Sequence, residues 1–152
     1  MSLARNDFQS FVNTYQPLGQ VGARASMNPR AFVLGGDSAY TADDTDVVTV
    51  GNFAWMVPAT AIAHGALTAN AIIGFVANEL DTVITDWLGD STMVIPEGLI
   101  VPGYTHGDFW ANIPGAVTIG AAVYADSTNG APTLSSAGYN VSAMRALRLR
   151  RN

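Results

Sequence analysis

The eleven residues from Val47 to Val57 (VVTVGNFAWMV) carry no charge, and they are apolar on both faces of any strand they form. Their β-branched and aromatic side chains suit a pleated strand. Val47, Thr49, Gly51, Phe53, Trp55 and Val57 share one face, and Val48, Val50, Asn52, Ala54 and Met56 share the other. A strand with one wet side would alternate apolar and polar, so both sides here need a cover, from an opposing sheet or from a neighbouring subunit. Gly51 has no side chain to pack and marks a bulge or a close backbone approach.

The rest of the chain supplies material for such a cover. Residues 8–15, Ala31–Leu34, Ala71–Ala77, Asp81–Leu88, Met93–Ile95, Leu99–Val101, His106–Asn112, Val117–Ala125 and Tyr139–Leu149 all have strand character. They are separated by Gly, Pro, Asn and Asp turns, with Asn129-Gly130 the strongest turn signal. Many short strands with regular breaks give an all-β fold, an antiparallel sandwich or barrel. At 152 residues the chain forms one domain with a core of its own. Three parts are expected: an extended N-terminal arm over 1–30, broken by Pro17, Gly19, Gly22 and Pro29; a β body over 31–144; and a basic tail over 145–152.

No charged residue lies between Asp46 and Glu79. Pro58, His64, Gly65, Asn70 and several threonines interrupt that stretch, whereas a spanning helix needs about 20 continuously apolar residues, so no membrane partner is expected. Residues 1–7 lack the apolar run of a signal peptide. There is no cysteine, which excludes disulfides and thiolate metal sites.

Charge is segregated along the chain. There is no lysine, and the seven arginines are Arg5, Arg24, Arg30, Arg145, Arg148, Arg150 and Arg151. Eleven of the twelve acidic residues fall between 31 and 144, where no arginine occurs. An acidic body is unsuited to a nucleic-acid groove. Basic ends on an acidic body fit termini that reach for a negatively charged partner, or alternatively a solvated tail.

No catalytic constellation emerges. Phe32-Val33-Leu34-Gly35-Gly36-Asp37-Ser38 resembles the nucleophile block of GDSL-type esterases. Neither His64 nor His106 has the Asp three residues before it that would complete the triad, and the β-α alternation of that fold is missing. Asp43, Asp44 and Asp46 lack the EF-hand spacing, and His106 with Asp108 has no third ligand. Neither metal nor cofactor is expected, and the protein is not read as an enzyme. The aromatics Phe53, Trp55, Phe75, Trp87, Phe109 and Trp110 are candidates for the core or for a subunit interface. If exposed, they would instead stack sugars, which makes a carbohydrate-binding module on a virion or cell surface the alternative reading.

An ordered set of short stretches resembles the capsid decoration, or structural cement, proteins of tailed bacteriophages. The set runs through Val12–Tyr15, Ser26-Met27-Asn28-Pro29-Arg30-Ala31, Leu34-Gly35-Gly36 and Val48–Trp55. It continues with Gly74-Phe75-Val76, Val83-Ile84-Thr85 with Leu88, Ile95-Pro96-Glu97-Gly98, Gly107-Asp108-Phe109-Trp110 and Ala116–Gly120 with Val123-Tyr124-Ala125. Asn52 stands where many relatives would carry Arg, and Ala77-Asn78 replaces a more basic pair. The resemblance implies a β-sandwich of jelly-roll type on the outer surface of an assembled virion, made in the host cytoplasm. It implies the major capsid protein as partner, and a homo-oligomer, a homodimer ahead of a homotrimer. Together with the charge segregation it makes Arg5, Phe8, Phe11, Tyr15, Arg24, Asn28, Arg30, Arg145, Arg148, Arg150 and Arg151 the candidates for contact with the shell.

Overall fold

The computed structural model describes residues 19–33, 39–43, 47–57, 60–62, 71–79, 93–136, 139–140 and 148–150, with 60–62, 139–140 and 148–150 as backbone only. The expected strands over 8–15 and Asp81–Leu88 lie outside these residues, as do Leu34–Ser38, His64, Asp44 and Asp46.

The described residues form an all-β domain with several antiparallel sheets. In chain order the strands are β1 (Ala31–Phe32), β2 (Thr41–Ala42), β3 (Val48–Thr49), β4 (Phe53–Val57), β5 (Thr60–Ile62), β6 (Ile72–Val76), β7 (Val94–Ile95), β8 (Gly103–His106), β9 (Trp110–Asn112), β10 (Tyr124–Ala125), β11 (Pro132–Thr133), β12 (Tyr139–Asn140) and β13 (Arg148–Arg150). The largest sheet runs β1-β8-β6-β4-β5-β2. Within it β4 pairs antiparallel with β6, setting Phe53 opposite Phe75 and Trp55 opposite Ile73. Two pairings are parallel, β2 with β5 and β13 with β9, each joining segments far enough apart in sequence for a crossover.

The uninterrupted strand expected over Val47–Val57 is two strands. Asn52 N donates to Thr49 O at 3.3 Å, and Gly51 holds φ at 87° between them. That left-handed backbone suits glycine. A Cβ on Gly51 would also collide with the Val21 side chain, so the close approach foreseen at this glycine is made by the N-terminal segment. The backbone groups at the break find new partners, Val50 N on Met93 O and Gly51 N on Val76 O. Unpaired, they would carry a desolvation cost.

The two faces of β4 feed two different cores. Ala54 and Met56 join Val33, Tyr40, Ala42, Val48, Val50, Val76, Ile95 and Val101 in a mostly aliphatic cluster. Phe53 and Trp55 join Phe75, Ala77, Tyr104, Phe109, Ala111 and Ala125 in an aromatic one. Phe53, Ala54, Trp55 and Met56 are all buried, which accounts for the absence of polar alternation. The β3–β7 ribbon brings Val48 and Ile95 to the aliphatic side, and β9 and β10 bring Ala111 and Ala125 to the aromatic side.

Two further expectations change on contact with the structure. His106–Asn112 is not one strand, because Gly107 and Asp108 separate β8 from β9. In Val117–Ala125 only Tyr124–Ala125 is strand. Thr118–Ala121 forms a turn closed by Ala121 N on Thr118 O, with Gly120 at φ 87° and Ile119 wholly exposed. The Asn129-Gly130 signal does sit in the β10–β11 connection, where Thr128 N and Ala131 N donate to Asp126 Oδ1 and Asn129 Oδ1.

Candidate functional site

The segment 19–30 is seated along β9. Gly22 N donates to Trp110 O at 2.7 Å, Trp110 N to Ala23 O at 2.8 Å and Ala25 N to Asp108 O at 2.8 Å, with Arg24 bridged antiparallel to Phe109. On its other side Gly22 O accepts from Asn78 N at 2.9 Å. Gly22 has φ at 81°, and a Cβ there would lie 2.6 Å from Val50 Cγ1 and 3.0 Å from Asn78 N. A glycine is therefore what lets the segment lie this close to the body.

Two carboxylates clamp the segment from the body side. Arg24 Nη2 donates to both Glu79 oxygens, at 2.9 and 2.7 Å, and Tyr104 Oη donates to Glu79 Oε1 at 2.8 Å. Partial burial pushes the Glu79 carboxyl up. The hydrogen bonds from Arg24 and Tyr104, with the charges of Arg24 and Arg30, outweigh it and hold Glu79 below its ordinary value. Burial and the bond to Glu79 push the Tyr104 phenol up, so it remains a donor. The second clamp is Asp108, whose Oδ2 accepts from Ser26 Oγ and from Asn28 Nδ2, while Asn28 N donates to Ser26 Oγ.

Past the clamps the chain surfaces. Residues 27–32 are all exposed, Met27 to 95 % and Phe32 to 39 %. The Arg30 guanidinium lies 5.6 Å from the centre of the Tyr104 ring, a cation–π distance, and Phe32 meets the same ring edge-on. Arg24 and residues 26–30 line only a shallow, open depression, unlike the enclosed cleft of a small-molecule site.

Two of the C-terminal arginines, Arg148 and Arg150, come to the same strand as backbone. Arg148, Leu149 and Arg150 pair in parallel with Trp110, Ala111 and Asn112. The amide and carbonyl of Trp110 are already bonded to Gly22 and Ala23. Successive residues of a strand direct these groups to opposite edges, so β13 takes the edge of β9 facing away from the N-terminal segment.

Among the residues expected to touch a shell, Arg24, Asn28 and Arg30 are thus brought together beside β9. Arg148 and Arg150 are placed there as backbone. Arg5, Phe8, Phe11, Tyr15, Arg145 and Arg151 lie outside the described residues. Of the aromatic candidates, Phe53, Trp55, Phe75 and Phe109 are buried, Trp110 is partly buried, and Trp87 is outside the described residues. Buried rings offer no sugar-stacking platform. Glu79, Tyr104 and Asp108 do most of the clamping, yet nothing local in the sequence marks them. The one signal among them is that Glu79 ends a charge-free run.

Among the described residues, the chemistry-bearing side chains do not assemble into a reaction centre. His106 is exposed with Nδ1 beside Thr105 Oγ1, and Asp108 is occupied by Ser26 and Asn28. Among the described residues no three His, Cys, Asp or Glu side chains group as metal ligands, and no helix is long and apolar enough to cross a membrane.

A model of the XM1 gp53 minor capsid protein family matches residues 8–147, nearly the whole chain. The chain belongs to this family. It is accordingly a capsid-associated structural protein of a phage, and not an enzyme. No curated protein and no solved structure matches it significantly.

Proposed function

We propose that this minor capsid protein is a decoration, or cement, protein. It binds the outer surface of an assembled head and stabilises it by bridging neighbouring major capsid subunits. The observation that supports this reading is that segments 19–30 and 148–150, one from each basic end, lie beside β9, in a chain whose acidic residues fall almost wholly between them. A cement protein needs no catalytic group; it needs a rigid body, an anchoring surface and charge complementary to a shell. Many copies on one shell then multiply weak contacts through avidity. In this reading the body is a sandwich of jelly-roll type, residues 1–30 and 145–152 are its anchoring ends, and the working unit is a homodimer, with a homotrimer next.

Co-sedimentation with heads assembled without the protein tests the proposal. Full-length protein saturates the shell at low salt and dissociates as salt rises, because exposed charge pairs are screened beyond about 10 Å at 0.1 M. Protein lacking residues 145–152 reaches lower occupancy with a shallower salt dependence. Unchanged occupancy and salt dependence would remove the tail from the account.

A further inference from the structure

We infer that the connection between β9 and β10 is an uncharged apolar tip that seats in an apolar cleft of the shell, an inference that rests on the cement reading. It adds to that reading a docking element independent of charge and the chemistry of the surface that receives it.

No charged residue lies between Asp108 and Asp126. Within that stretch, residues 114–122 (PGAVTIGAA) carry a single polar side chain, Thr118. All of them are exposed except Val117, which is half-buried, and Ile119 is wholly exposed. Connections on a protein surface are ordinarily polar, and a run of exposed apolar residues works against solubility unless it serves a contact. Packing within the domain does not account for the composition. A Cβ on Gly115 or on Gly120 would meet nothing within 4 Å, so the tip stands clear of the body.

The tip is nevertheless held in one shape. Ile113 and Ala125 are buried at its two roots, and Val123 packs against the aromatic cluster. At the far end Ala121 N donates to Thr118 O at 3.1 Å, and the φ of 87° at Gly120 is that of a type II turn. Ile119 occupies the first corner of this turn. An apolar side chain presented on a set turn loses less freedom on seating than one on a free loop.

A second copy of this chain is a poor occupant. An interface that holds two proteins by itself takes about 20–30 residues a side, well beyond what this tip offers. Two convex tips meet over little area, so the match is a concave surface. The depression that the described residues offer is shallow and lined by Arg24, Ser26, Asn28 and Arg30 among others, which suits no aliphatic tip. A shell presents clefts between neighbouring subunits and repeats them, so a small apolar contact adds to the others through avidity. The tip also springs from β9, the strand flanked by Gly22–Ala25 and Arg148–Arg150, and is continuous with the surface proposed for anchoring.

Ile119→Asn tests the tip in the full chain, and because Ile119 is wholly exposed the substitution leaves the fold intact. Affinity for heads assembled without the protein falls about tenfold or more, as expected when a buried aliphatic side chain is lost. The ratio of wild-type to variant affinity is the same at 50 mM and at 500 mM NaCl, to within about twofold, because the contact carries no charge. The chain has no cysteine, so Ile119→Cys provides a second readout. Maleimide labelling of this variant slows about tenfold or more on saturated heads, as in a contact that excludes water. Wild-type affinity of Ile119→Asn, a ratio that collapses at high salt, or unslowed labelling overturns the inference and leaves the cement reading standing. So does loss of a homo-oligomer by Ile119→Asn in the absence of heads, which would make a second copy the occupant. Failure of the unsubstituted protein to bind heads overturns both.

Discussion

The two sides of the central sheet are built from different materials. The aliphatic side packs Val48, Val50, Met56, Val76, Ile95 and Val101, and among the described residues Tyr40 is its one aromatic member. The aromatic side stacks Phe75 on Phe109 at 5.1 Å and sets Phe53 edge-on at 5.4 Å, with Tyr104 tilted against Phe109. On the second side polar groups tie a separate segment to the core, and Tyr104 belongs to both arrangements: its ring packs inside, and its hydroxyl holds Glu79. The aliphatic side holds the domain together, whereas the aromatic side also seats the segment 19–30.

The largest expected contrast is in stability. Phe75→Ala removes a ring in contact with two others and costs about 3–5 kcal/mol, against about 1 kcal/mol for Ile95→Val on the aliphatic side. Urea unfolding monitored by Trp fluorescence measures both, and equal costs would erase the distinction. Tyr104→Phe keeps the packing and deletes one hydrogen bond, a loss of about 1 kcal/mol. Its sharper signature is local: amide exchange quickens at Ala25 and Trp110, which bond the N-terminal segment to β9, and not at Val50, which bonds Met93.

Acid tests the same clamp without mutation. Glu79 is held below its ordinary value in the folded protein, so its contribution is complete above the ordinary carboxylate range and is lost as pH falls through the depressed value. Relative to the intrinsic exchange rate at each pH, protection at Ala25 and Trp110 falls on acidification ahead of protection at Val50. Loss of protection at all three together would place the effect in global unfolding. The smallest effect falls on binding: Arg30→Gln weakens shell affinity about threefold at low salt, as expected for one exposed charge, and Glu97→Gln in the exposed turn after β7 does not weaken it.

The alternation that splits Phe53–Met56 between two cores was legible from side-chain type alone, since neither face offered anything suited to water. The break at Gly51 was legible as a glycine with a role, but its cause, the passage of Val21, was not, because that contact joins segments far apart in the chain. The stretch from Val117 to Val123 was misread for a related reason. Its β-branched residues suit a strand, yet a strand needs a partner, and the Thr118–Ala121 turn with Ile119 exposed leaves the stretch without one. The candidate surface was legible in its charges and not in its geometry. Arg24 is 55 positions from Glu79, and the parallel register of β13 on β9 depends on backbone groups that every residue carries. Long-range pairings of that kind leave no local pattern.

Reconstructing heads saturated with this protein by electron cryo-microscopy tests the central claim most directly. The account predicts density on the outside of the shell at junctions between major capsid subunits, with both chain ends against the shell. Density inside the shell, or chain ends turned to solvent, would contradict it.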